Sequence, residues 1–382
     1  MTDVDALLPL VRGVVDARLE RVLARMGAQW HDRTPQTDAL LDAAAELLSG
    51  GKRMRAALGA VGLTLPAADA RTDVLGGPTA ARLGAALELY QASALVHDDV
   101  IDAADTRRGR PSAHRRFSAH HRQAGWHGSS EDYGMSAAIL LGDLLLSAAS
   151  AEMGAAVRHI DAEAARTARD AFDAMTAEVA FGQFLDVHRE VLPLPPPTDL
   201  PVEAGAAMRA AALEVVRHKS ARYSVMYPLL IGALLAGAAP HGAMFAALRV
   251  FGEEIGVAFQ LRDDVLGVFG DPTLTGKPAG DDLREGKRTV LVALAWQRCD
   301  DAGRILLTRV LTGSGGGTVT DADVERAAGV IRDCGALAAL EEEIAAHAAT
   351  GLDALATSPN SLDASALDML HGLTEVLTAR QY

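Results

Sequence analysis

The sequence of 382 residues predicts an all-α protein, a single large helical bundle. Three observations carry that prediction. Hydrophobic residues make up 49% and aromatic residues only 4%, with Ala and Leu abundant, a balance that favours helices over strands. Apolar residues recur every three or four positions, and alternating runs bounded by turn residues are hard to find. The breaks between periodic stretches carry helix-ending chemistry.

The elements follow in order. DALLDAAAELL (38–48) is helical by spacing, and SGGK (49–52) ends it. ARLGAALELYQASALVH (81–97) is a long apolar helix. HGSSEDYG (127–134) reads as a polar loop before the helix SAAILLGDLLLSAASAEM (136–153). TARDAFDAMTAEVAFGQFLDV (167–187) is helical, and LPLPPPTDLP (192–201) is a stiff proline-rich connector. GDPTLTGKPAGDD (270–282) and TGSGGGT (312–318) read as loops. No linker coincides with a shift in composition, so one domain is expected.

The formal charge of −14 argues against nucleic acid as a partner, because phosphate backbones need a basic surface. Small phosphorylated ligands stay open, since a bound divalent cation reverses the local field. Two cysteines, Cys299 and Cys334, fit a reducing compartment. The first residues lack the basic segment and apolar run of a signal peptide, so a cytoplasmic protein is expected. SVMYPLLIGALLAGAAPHGAMFAAL (224–248) has no acidic or basic side chain, yet Pro228, Pro240 and His241 interrupt it. A buried helix is expected there, not a transmembrane segment.

LVHDDVIDAADTRRGRP (95–111) crowds acids and arginines together. If the helix continues, Asp98 and Asp102 are neighbours one turn apart, with Asp99 beside them. Like charges at that spacing cost a few tenths of a kcal/mol per pair. A divalent cation removes the cost, and Mg²⁺ suits carboxylate oxygens that share it with substrate phosphates. FGEEIGVAFQLRDDVLGVFGD (251–271) repeats the device with Asp263 and Asp264. SGGKRMRAAL (49–58) places Lys52, Arg53 and Arg55 where a helix opens. Cations oppose the dipole there by about 0.3–1 kcal/mol each, unless an anion binds. Arg107 and Arg108 offer planar donors for phosphate oxygens. No phosphate-binding GxxxxGK[ST] loop, kinase set, HExxH, CxxC or GxSxG occurs. Carboxylates for Mg²⁺, cations for phosphate and an apolar helical body point to diphosphate chemistry on a greasy substrate.

With GKRMR (51–55), HDDVIDAADTRRGRP (97–111), GQFLD (182–186), KSARY (219–223), FQLRDD (259–264) and GKPAGDDLREGKRT (276–289), the chain resembles the polyprenyl synthetase family of trans-isoprenyl diphosphate synthases. The resemblance covers about residues 38–375. It implies a catalytic domain over 38–382 behind an N-terminal helical extension (1–37), and helices around a central cavity, the isoprenoid synthase fold, as a homodimer. It implies head-to-tail condensation of isopentenyl diphosphate with an allylic diphosphate, with geranylgeranyl diphosphate (C20) expected, longer chains as the first alternative and a C15 farnesyl diphosphate synthase as the second. Lys52, Arg55 and Arg108 would hold isopentenyl diphosphate. Arg107, Lys219, Gln260 and Lys277 would hold the allylic diphosphate. Asp98, Asp102 and Asp263 would be Mg²⁺ ligands, three ions in all, with Asp99 and Asp264 completing the catalytic carboxylates.

Three positions depart from the family pattern. Gly267 stands where many members carry a third Asp of the second motif, and Asp271 is the nearby candidate to compensate. Gln91 stands where several members have a histidine contacting isopentenyl diphosphate, and Ser220 replaces a common threonine. Ser93 and Ala94, just before the first motif, are small, so Tyr90 and Leu87 are expected to set the floor for the growing chain. A class I terpene cyclase and a head-to-head synthase would have no use for GKRMR with RRG. A non-catalytic partner subunit would tend to lose the aspartates.

Overall fold

The computed structural model describes residues 4–29, 34–66, 71–272, 278–313, 319–357 and 362–379. It divides into two compact units: Met1–Asp173 with Pro228–Ala246 and Asn360–Leu370, and Ala174–Tyr227 with Ala247–Pro359 and His371–Tyr382. Both are helical. Among the described residues the one strand pair joins β1 (Thr106–Arg107) to β2 (Arg110–Pro111), antiparallel.

The first unit is built on α1 (Val4–Gln29), α2 (Pro35–Leu48), α3 (Met54–Thr64), α4 (Arg71–Leu75), α5 (Pro78–Ile101), α6 (Ala113–Ala124) and α7 (Ser130–Ala156). In α1, Val4, Leu7, Val11, Val15, Leu19, Val22 and Met26 are buried at steps of three or four. That stripe packs α1 against α3 and α5. An ion cluster adds to it: Glu152 of α7 is fully buried and accepts from Arg18 Nε at 2.7 Å, Arg18 Nη2 at 2.9 Å and Arg25 Nη2 at 2.8 Å. The segment expected as an extension therefore contributes to this unit's core.

α7 begins earlier than its apolar pattern announced. Ser129 caps it, its hydroxyl accepting from the Asp132 backbone N–H at 3.1 Å, and Glu131 and Asp132 suit the positive helix start. The stretch HGSSEDYG is thus loop only up to Ser129. The apolar run 224–248 is also not one helix. α10 (Tyr227–Leu235), buried from Pro228 to Leu235, ends before Gly237 at φ 87°, and a new helix opens at Ala243. Among the described residues, α7 is the helix long and apolar enough to cross a membrane by length and composition.

The second unit holds the end of α8 (Ala162–Val191), α9 (Pro201–Val215), a π-helical stretch (Val216–Met226) and most of α11 (Ala243–Phe269). Its core gathers around the helix Val290–Arg298, buried from Val290 to Trp296, which packs on α9 and on the helix Ala336–Ala356.

Candidate functional site

In the first unit, α5 runs through the first acidic motif, and Asp102 closes it as C-cap with its N–H donating to the Asp98 carbonyl at 2.8 Å. Asp98 and Asp102 therefore sit one turn apart, both partly exposed. Carboxylates at a helix C-terminus oppose its dipole, so this end stores electrostatic cost that a cation removes. Asp99 differs: it is 1% exposed and accepts from Arg107 Nε at 2.8 Å and again from Arg107 Nη2. Arg107 Nη2 also lies 3.6 Å from Asp98 Oδ2. Asp99 anchors an arginine beside Asp98.

The register Thr106–Pro111 and Arg107–Arg110 leaves Arg108 and Gly109 as a two-residue turn with φ 53° and 72°. Both central residues of a type I′ hairpin turn need positive φ, which Gly adopts freely and Arg at a cost of roughly 1–2 kcal/mol. The turn brings Arg108 to the glycine turn before α3, where a methyl carbon built on Gly51 would lie 3.6 Å from Arg108 Nη1 and 3.8 Å from Arg53 Nη1. Partial burial, then Arg53, Arg107 and Arg55, hold the Arg108 guanidinium below its ordinary pKa, with Glu88 opposing. An anion bound beside Arg108 would favour its charged form.

Arg53, which sequence grouped with the anion-binding cations, is committed elsewhere. It is 5% exposed and donates from Nε to Asp16 at 2.8 Å, from Nη1 to Glu88 at 3.2 Å and to the Leu48 carbonyl. At the α3 start Lys52 is exposed and Arg55 is half-buried. Further back on α5, Leu87, Tyr90 and Ser93 are buried, while Gln91 and Ala94 are half-buried. Tyr90 meets Phe172 edge-to-face at 6.3 Å. Phe172 is a ring neighbour of Tyr90 that no motif announced.

In the second unit, KSARY lies in the π-helical stretch, where Lys219 Nζ donates to Asp186 Oδ2 at 2.5 Å. A methyl carbon on Gly182 would lie 2.3 Å from the Lys219 backbone nitrogen, so GQFLD combines close backbone approach at its Gly with a carboxylate that aims the lysine. Ser220 is half-buried beside it. On α11, Asp263 is half-buried, while Asp264 is 5% exposed and accepts from Gln260 Nε2 at 3.0 Å. Burial, then Asp282 and Asp263, push the Asp264 carboxyl well above its usual range, against Gln260 and Lys287. Asp271 is exposed beyond the end of α11. Lys277 lies outside the described residues.

Among the described residues no group of three or more His, Cys, Asp or Glu side chains is placed to hold a metal ion by itself. Mg²⁺ does not need one: it usually takes one or two carboxylates and fills its octahedron with water and phosphate oxygens. The Asp98–Asp102 pair, hard oxygen donors on a helix end of adverse dipole, fits that role.

The described residues thus carry one acid pair near the end of α5, a second on α11, and arginines gathered at the β1–β2 hairpin. The polyprenyl synthetase family model matches residues 37–327, and the chain belongs to that family. It is 31% identical over 354 residues to the geranylfarnesyl diphosphate synthase of Aeropyrum pernix, covering 90% of this chain and 95% of that one. It is 33% identical over 292 residues to the geranylgeranyl diphosphate synthase of Mycobacterium tuberculosis (75% and 69%). Its structure resembles geranylgeranyl pyrophosphate synthase from Corynebacterium glutamicum complexed with isoprenyl diphosphate and magnesium, with TM-score 0.84, 34% identity and coverage of 98% and 99%. It also resembles polyprenyl synthase from Caulobacter crescentus complexed with calcium and isoprenyl diphosphate, with TM-score 0.75, 27% identity and coverage of 100% and 98%.

Proposed function

We propose that this prenyltransferase condenses isopentenyl diphosphate head to tail with an allylic diphosphate, depends on Mg²⁺, and releases geranylgeranyl diphosphate. Asp98, Asp102 and Asp263 are the carboxylates for magnesium, three ions in all. Lys52, Arg55 and Arg108 receive isopentenyl diphosphate, with Gln91 beside them. Arg107, Lys219, Gln260 and Lys277 receive the allylic diphosphate. Bound magnesium supplies charge neutralisation on the departing diphosphate. The arginines and lysines orient both diphosphates and stabilise the same developing charge. Apolar side chains keep water from the allylic cation. No protein base is required, because the diphosphate set free can take the proton.

The observation that carries the length assignment is the Tyr90–Phe172 contact. Tyr90 lies two turns before Asp98, about 12 Å back along α5 at 1.5 Å per residue. Small Ser93 and Ala94 leave that path open until the two rings close it. Products are sized after incubation with Mg²⁺, isopentenyl diphosphate and C5, C10 or C15 starters. C20 is expected, and Tyr90→Ala lengthens it. Exclusive C15 overturns the assignment, and native products beyond C20 move the floor past Tyr90.

The homodimer belongs to the same reading. Along α7, Met135, Ile139, Leu140 and Leu146 are exposed at helical spacing, with Leu140 at 60%. A second copy covers this face. Sedimentation should show a dimer that Leu140→Lys weakens; a native monomer at micromolar concentration contradicts it.

A further inference from the structure

Gly267 leaves the second acidic motif without its third side chain, yet the space is not empty. A methyl carbon built on Gly267 would lie 1.9 Å from Asp282 Oδ2 and 2.4 Å from its Cγ. Real Cβ contacts never come so close, so the Asp282 carboxylate occupies the place a longer residue 267 would fill. Asp282 stands in the first turn of the short helix Asp281–Arg284, so a different segment brings this carboxylate to α11.

A second observation comes from Asp264, which is 95% removed from solvent. Its Oδ1 takes the Gln260 hydrogen bond, and its Oδ2 has no hydrogen-bond partner among the described residues. Asp264 precedes Gly267 by three positions on α11, so the two share a helix face and the Asp282 carboxylate at Gly267 stands on that face too. A buried carboxylate with an unmet oxygen is costly, and a like charge beside it adds to the cost. A cation reverses both.

We infer that Asp282 supplies the third carboxylate of the second acidic motif, joining Asp263 in holding the divalent cation, and that Gly267 is required because any side chain there would expel it. The inference rests on the magnesium-dependent reading above. It replaces the sequence expectation for Asp271, which lies past the end of α11.

The test uses the full chain with Asp282→Asn, Gly267→Ala, Asp271→Asn, Gly267→Asp and the double variant Gly267→Asp/Asp282→Gly. Two quantities are read: the magnesium concentration giving half-maximal product formation, and the rise in melting temperature from magnesium with inorganic diphosphate. Asp282→Asn should raise the half-saturating concentration about tenfold or more and shrink the thermal shift. Gly267→Ala should do the same by displacing the carboxylate, without changing charge. Asp271→Asn should match the native chain. The double variant should recover both quantities relative to Gly267→Asp alone.

Native-like values in both Asp282→Asn and Gly267→Ala overturn the inference, as does a loss confined to Asp271→Asn. If Asp282→Asn shows no cooperative melting in a chelator, the double variant decides, and its failure to recover the magnesium response overturns the inference. A native chain that makes no prenyl product refutes the proposed function instead, while the thermal shift still reports on Asp282.

Discussion

The two acidic motifs look alike as letters and differ as built objects. In the first, Asp98 and Asp102 share one helix face, and the middle acid, Asp99, is spent on Arg107. In the second, Asp263 is half-buried, Asp264 is buried on Gln260, and the remaining carboxylate comes from Asp282 on a separate segment. One motif is self-contained within a helical turn, and the other is assembled from two places in the chain. A motif assembled locally is robust to loop changes, whereas one completed from a distant segment depends on how that segment folds.

The largest effect that would break this comparison is the loss of the self-contained pair. Asp98→Ala or Asp102→Ala should slow prenyl transfer about a thousandfold, measured as steady-state turnover at saturating magnesium. Asp263→Ala should cost less, about a hundredfold, because neighbouring carboxylates remain. Equal losses at all three positions would erase the distinction. A smaller effect separates anchoring from ligation. Asp99→Asn weakens a charge-assisted hold on Arg107 and should cost about 1.5–3 kcal/mol of stability, measured by denaturant unfolding with magnesium absent. Asp98→Asn, at a position that opposes the helix dipole, should instead leave stability equal or higher.

The smallest effect is a pH slope beside the first motif. His114, at the start of α6, is held below its ordinary pKa by burial and then by Arg115, against Asp99 and Asp105. The folded chain thus prefers the neutral ring, and the unfolded chain binds the extra proton first. The resulting stability is present above about pH 6.5 and is lost as pH falls toward the folded pKa. Melting temperature should drop across that window, and His114→Gln should flatten the drop. An unchanged slope in His114→Gln assigns it to another group.

Local periodicity made most of the helices readable, and Asp98 with Asp102 follows directly from spacing on α5. What escaped had partners far away in sequence. Glu152 reads as one acid in an apolar run, and only folding sets Arg18 and Arg25 against it. Arg53 looked like its neighbours Lys52 and Arg55 because nothing local reveals Asp16 and Glu88. The start of α7 was locally encoded, in Ser129 with Asp132, but the polar letters of its first turn read as a loop. Gly267 read as a missing ligand, because a sequence shows the absence of a side chain and not what fills its place.

Arg108 carries one more consequence. Its backbone is left-handed in a turn that Asn would occupy with less strain, and its charge sits among other arginines. Arg108→Asn should therefore give a protein more resistant to denaturation, by about 1 kcal/mol, and poorer at turnover. Such a position marks where selection for durability and selection for catalysis pull in opposite directions. A stabilisation campaign that scored only melting temperature would discard this arginine first.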